Sequence, residues 1–188
     1  MKKVIIGLAV AVFFALAIVG FANQPQRVTK KIKNEEYHEI MERDLKYDYP
    51  ETPTDVVKAF GRIQELIYSY KFEGKEEGRL EELIRQQLIL FDDELIETNG
   101  GEDKIIISTM SSAKEFLDLK KKIIDVKYQT SGEQILSDDG DLYKFVNVIF
   151  YINAGGGEDV YRKYALRRDE DKRWKIFTYQ DIEPFSIK

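Results

Sequence analysis

At residue 122 the apolar residues of this chain change their spacing, and that change constrains the fold more than any single motif. Before it they recur every three or four positions, the period of a helix with one buried face. After it they alternate, the period of a strand. Val56, Val57, Phe60, Ile63, Ile67 and Tyr70 make one helical stripe, and Leu80, Leu83, Ile84, Leu88 and Phe91 a second. Thr52-Pro53-Thr54-Asp55 opens the first of these, with a threonine cap, proline at the first helical position and an acid three residues on. Residues 35–46 carry Tyr37, Ile40, Met41 and Leu45 at helical spacing, with Asn34 placed to cap them. Residues 110–122 read as a weaker helix with Phe116 and Leu117 inward, and residues 74–78 and 99–101 as turns.

Past the change, residues 123–130, 134–137, 142–154, 159–169 and 173–182 read as strands, being rich in β-branched and aromatic side chains. Ser131-Gly132, Asp138-Asp139-Gly140, Gly155-Gly156-Gly157 and Asp169-Glu170-Asp171-Lys172 supply turn chemistry between them. Helices first and an antiparallel meander second is an α+β layout. About three helices lying across one face of a curved sheet would enclose a conical cavity.

Ahead of all this stands a run without charge, from Val4 through Phe13 to Ala22, preceded by Lys2 and Lys3. As a helix it would measure roughly 28 Å, close to the hydrocarbon thickness of a bilayer. The expectation is an uncleaved signal anchor, with cleavage near Ala22 as the alternative. No cysteine follows it, so a lipoprotein anchor is excluded. Arg27, Lys30, Lys31 and Lys33 on the far side balance the lysines in front, so charge alone does not fix orientation. The Met-Lys-Lys start favours a domain outside the cell membrane. The chain divides into residues 1–26 as anchor, 27–48 as basic stalk and juxtamembrane helix, and 49–188 as one domain.

Six of the 29 basic side chains precede residue 34 and none of the 34 acidic ones does, leaving 23 against 34, a net of −11, for residues 34–188. Such a surface repels nucleic acid and anionic wall polymers. The absence of cysteine removes disulfides, thiol nucleophiles and thiolate metal sites, and in an exported chain it suggests a Gram-positive-type envelope.

Three stretches carry a resemblance. Residues 161–176, Tyr-Arg-Lys-Tyr-Ala-Leu-Arg-Arg-Asp-Glu-Asp-Lys-Arg-Trp-Lys-Ile, resemble the closing hairpin of the NTF2-like superfamily (SnoaL-like, a cystatin-type cone). Residues 49–58 and 90–95 look like an uncharacterised family of Gram-positive single-pass membrane proteins with a domain of unknown function after the anchor. The resemblance covers roughly residues 40–184. It implies the single-pass topology and the cone fold, with sheet-to-sheet dimers by analogy, and brings no catalytic residue with it.

The candidate chemistry is sparse. His38 stands alone, without partners at ligand spacing, and reads as a surface residue. Asp138-Asp139-Gly140-Asp141 lacks the alternating ladder and closing glutamate of a calcium loop, so no metal site is expected. Gly155-Gly156-Gly157 runs into Glu158 and Asp159, where a phosphate loop needs Lys-Ser or Lys-Thr. No cofactor is implied. Arg162 and Arg168 alternate to one face of the last hairpin and Lys163 and Arg167 to the other, a pattern of cross-strand pairing or of docking to an acidic partner. Asn147 interrupts an apolar strand, and Tyr68, Tyr70, Tyr151, Tyr164 and Tyr179 recur on core-facing elements. In a cone these would line the cavity, with Asp92 or Asp93 the nearest acid or base; otherwise the tyrosines fill the core with hydroxyls at its rim.

Two readings follow. One is a membrane-held binding or assembly module with an envelope protein partner, a homodimeric contact or a small ligand. The other is a cavity enzyme of isomerase or hydrolase type using an Asp–Tyr pair.

Overall fold

The computed structural model describes residues 34–70, 72, 77–138, 140–153 and 159–187. Among them are five helices, α1 (Asn34–Glu42), α2 (Pro53–Ile67), α3 (Glu77–Leu88), α4 (Asp93–Thr98) and α5 (Glu102–Asp118). Four strands follow: β1 (Lys122–Leu136), β2 (Leu142–Asn153), β3 (Val160–Arg168) and β4 (Trp174–Asp181). They form one antiparallel sheet in the order β1-β2-β3-β4.

These findings correct the expected architecture. The α+β layout is present, but with five described helices where a juxtamembrane helix and about three others were expected, and four strands where five were read. The segment at residues 134–137 is the continuation of β1 past a bulge between Thr130 and Gln134, so Ser131-Gly132 is an interruption within a strand and not a turn. None of the described helices is long and apolar enough to cross a membrane. Each carries a charged face, and even α5 has only 17 residues. The anchor expected over Val4, Phe13 and Ala22 lies outside the described residues, as do the glycine run at 155–157 and residues 74–76 of the turn read at 74–78, whose last two residues instead open α3.

Helix α2 begins where the sequence placed it. Thr52 is extended (φ −111°, ψ 154°) and its Oγ1 accepts from the Asp55 amide at 3.2 Å. One face of α2 then buries Val56, Val57, Phe60, Ile63 and Ile67 against Val126, Val146, Val148, Phe150, Tyr164 and Leu166 of the sheet. Close approach requires a glycine: a Cβ on Gly61 would sit 2.1 Å from Tyr128 Oη. Fully burying an aliphatic or aromatic side chain stabilises by roughly 1.5–3 kcal/mol, so this stripe is the main source of cohesion between helices and sheet.

The segment between α3 and α4 lies along the outer edge of β4. The Asp92 amide donates to Ile176 O and the Ile176 amide to Leu90 O, both at 2.9 Å, in a short parallel bridge. The loop after α1 is fixed to the same strand: Tyr49 Oη donates to Trp174 O at 2.8 Å, and the Tyr49 ring lies against Arg173 and Lys175. The strand residues of alternate parity, among them Tyr143, Phe145, Ile149, Tyr151, Tyr161 and Arg167, form the opposite sheet face, outside the main core cluster.

Candidate functional site

Alternation along β3 sends Arg162, Tyr164 and Leu166 to the helix-covered face. Register then places Arg162 opposite Asp181 and Tyr164 opposite Tyr179 on β4. Tyr68 caps the end of α2 and packs edge-on against Phe116 of α5 at 5.4 Å. Three of the tyrosines singled out in the sequence, Tyr68, Tyr164 and Tyr179, are thereby gathered around one guanidinium.

That guanidinium is the unusual group. The Arg162 side chain is 6% exposed, and its Nε donates to Asp181 Oδ1 at 2.9 Å, whereas the Asp181 side chain is 63% exposed. The guanidinium carbon lies 4.7 Å from the Tyr179 ring centre, and Tyr179 in turn packs on Tyr164 at 5.6 Å. Burial opposes the arginine's charge, but Tyr164, Tyr179 and Asp181 outweigh it, and the pKa is raised. Burial also raises the pKa of Tyr68, Tyr164 and Tyr179, with Arg162 pulling each the other way. At neutral pH the phenols therefore stay protonated. They can donate hydrogen bonds, and they offer no base.

The remaining sequence candidates lie elsewhere. Asp92 is buried, but both its oxygens are engaged: Arg167 Nε donates to Oδ2 at 2.8 Å and Nη2 to Oδ1 at 2.7 Å. Oδ1 also accepts from the Glu94 amide, which makes Asp92 the cap of α4. Asp93 is exposed. Tyr151 and Asn147 point to the face away from the helices, Tyr151 beneath Lys127 and Asn147 between Gln129 and Lys163. The Asn147 carbonyl oxygen is buried without a hydrogen-bond partner among the described residues. Arg167 also bonds Tyr143, and Tyr151 lies eight residues further along β2, roughly 26 Å at the rise of a strand, so Asp92 and Tyr151 do not share a site. Tyr70 ends the turn after α2 against Phe72 at 4.7 Å. His38 is exposed, edge-on to Tyr37. No group of three or more potential metal ligands occurs among the described residues.

A cleft of about 420 Å³ lies between α1, the loop after it and α2, over Ile40, Leu45, Ala59 and Ile63. Its walls are charged and internally matched, by Arg43–Asp48 at 3.0 Å, Arg62–Glu39 at 2.9 Å and Lys58–Asp55 at 3.6 Å.

Sequence reasoning assigned Arg162 to a pattern of surface charge and passed over Asp181. The signal was present in the parity of β3, since Arg162 alternates in step with Tyr164 and Leu166. It went unread because a lone arginine in a strand is ordinarily solvated.

The chain belongs to the family described as a domain of unknown function, DUF6715, whose model matches residues 1–179. No curated protein and no solved structure matches it. The uncharacterised family expected from residues 49–58 and 90–95 is thus present at the level of a domain of unknown function, while the cone fold gains no support from any solved structure.

Proposed function

We propose that this DUF6715 chain is a binding and assembly module and not a catalyst, and that Arg162 with Tyr68, Tyr164 and Tyr179 is its recognition site. One observation carries the reading: a guanidinium is held almost wholly buried where an apolar side chain of similar length would pack. Replacing a buried ion pair by apolar residues is often neutral or stabilising, so stability alone does not account for an arginine here. A desolvated charge with specific charged and polar partners is a candidate functional site.

The charge-free run from Val4 to Ala22 supports a location at a membrane. An envelope protein or its exposed segment fits that location, and the net charge of residues 34–188 disfavours nucleic acid. A cavity enzyme has less support. Asp92 is committed to Arg167 and to the start of α4, and the phenols around Arg162 are protonated.

The test is a crosslinked pull-down of the tagged full-length protein from native membranes, run beside Arg162→Met. The wild type should retain a stoichiometric partner that Arg162→Met loses, while thermal unfolding of the variant matches or exceeds wild type. Equal capture by both proteins, or capture by neither, sinks the reading.

A further inference from the structure

The geometry points to a specific class of ligand: we propose that Arg162 anchors a small organic carboxylate, which binds by taking the place of Asp181 on the guanidinium. This rests on the recognition site proposed above and names its chemistry.

The two members of the ion pair are unequally placed. The cation is almost wholly buried on the inner face of the sheet, with the ring of Tyr179 against it. The anion projects into water from the last residue of β4 and reaches back over 2.9 Å to Nε. A carboxylate from solution that displaced it would restore the same charge count and the same type of hydrogen bond, and the freed Asp181 would be rehydrated. The exchange therefore buries no uncompensated charge, which is the condition that ordinarily forbids ligands at a buried ion.

Carboxylate is the anion that the surroundings suit. The planar fork of a guanidinium matches its two oxygens, and one positive charge balances its single negative charge. A dianion such as hydrogen phosphate at neutral pH would leave a second charge beside the same guanidinium. Tyr68 and Tyr164 are fully buried and hold the guanidinium in place, while the half-buried ring of Tyr179 beside it offers surface to a flat or apolar body. An aromatic carboxylate suits both the guanidinium and the Tyr179 ring.

Asp181 then acts as a tethered competitor. A group on the same chain presents itself at an effective concentration in the millimolar range or above, so its removal should tighten binding of a free carboxylate. Asp181 is exposed and Asp181→Asn is nearly isosteric, so nothing repacks; the variant loses some stability with the counter-charge, and a bound carboxylate should restore it.

The experiment uses the full-length chain in nanodiscs and follows the Nε–H resonance of Arg162 by NMR during titration with sodium benzoate, against sodium chloride at matched ionic strength. A saturable shift is expected in wild type, with the midpoint at least tenfold lower in Asp181→Asn. In Arg162→Met no other arginine resonance should respond in its place. If Asp181→Asn shows no saturable response beyond that of chloride, or binds benzoate no tighter than wild type, the carboxylate proposal is wrong. Should that happen while Arg162→Met still loses its membrane partner, the recognition site stands and only its ligand class falls.

Discussion

Single side chains decide how closely the layers approach. Gly61 faces Tyr128, whose hydroxyl occupies the space of a side chain. Alanine ordinarily favours a helix interior by about 1 kcal/mol over glycine. Here we expect Gly61→Ala to destabilise by about 1–3 kcal/mol, because overpacking outweighs propensity. Adding Tyr128→Phe removes the nearest atom and should recover part of the loss, while the ring carbons still 3.0 Å away prevent full recovery. Denaturant unfolding of the double-mutant cycle measures both. The neighbouring acids Asp92 and Asp93 make a second contrast. Asp92→Ala removes a helix cap and a bidentate partner of Arg167 and should cost about 2 kcal/mol, less than a fully buried pair because Arg167 also contacts Glu94 and Asp141. Asp93→Ala should stay within about 0.5 kcal/mol. Comparable losses at both positions would contradict the assigned roles.

At the scale of elements, the ends of helices are where sequence and structure can be compared most directly. The cap at Thr52 was legible because it is local chemistry, and Thr52→Ala should lower stability by about 1 kcal/mol in the same unfolding assay. The end of α5 was not legible. Lys120 has φ +57°, the Lys120 amide donates to Leu117 O and the Lys121 amide to Phe116 O, a left-handed stop built without glycine. Lys120→Gly should therefore raise the melting temperature, corresponding to roughly 0.5–1 kcal/mol. The start of α5 was hidden for a related reason. Ile105, Ile106 and Ile107 are β-branched and favour strands, yet burial of Ile105, Ile106 and Thr109 beneath α3 overrides that preference. The second stripe was read through Phe91, yet α3 stops at Leu88, since the break at Leu90 and Phe91 is imposed by pairing with β4, which no window of sequence contains. The candidate site shows the same division. Period-two spacing marked Tyr164, and the neighbourhood of Tyr68, Tyr179 and Arg162 came only from register between distant segments.

Across the whole molecule, the tyrosines set the alkaline limit of stability. Burial raises the pKa of Tyr49, Tyr68, Tyr128 and Tyr164, and burial with a hydrogen bond to Glu82 pushes Tyr37 up to about 12. In the unfolded chain a tyrosine ionises near pH 10. The folded state thus holds these protons more tightly, and the stability this confers is complete below pH 10 and is lost as pH rises towards the folded values. We expect cooperative unfolding above pH 10, with phenolate absorbance and loss of helical circular dichroism rising together. Titration of the buried rings at pH 10 in a still-folded protein would refute this. The bridge between the α3–α4 segment and β4 also has a consequence in time. Tyr49 waits for Trp174, and Asp92 for both Arg167 and Ile176. A ribosome delivers the helical half first, and contacts of such long sequence separation are slow to form. Until β4 is made, the α3–α4 segment and the loop at Tyr49 have no strand to close on. A nascent chain of this kind should remain pliable until synthesis is almost finished, a state suited to threading through a narrow channel before it folds.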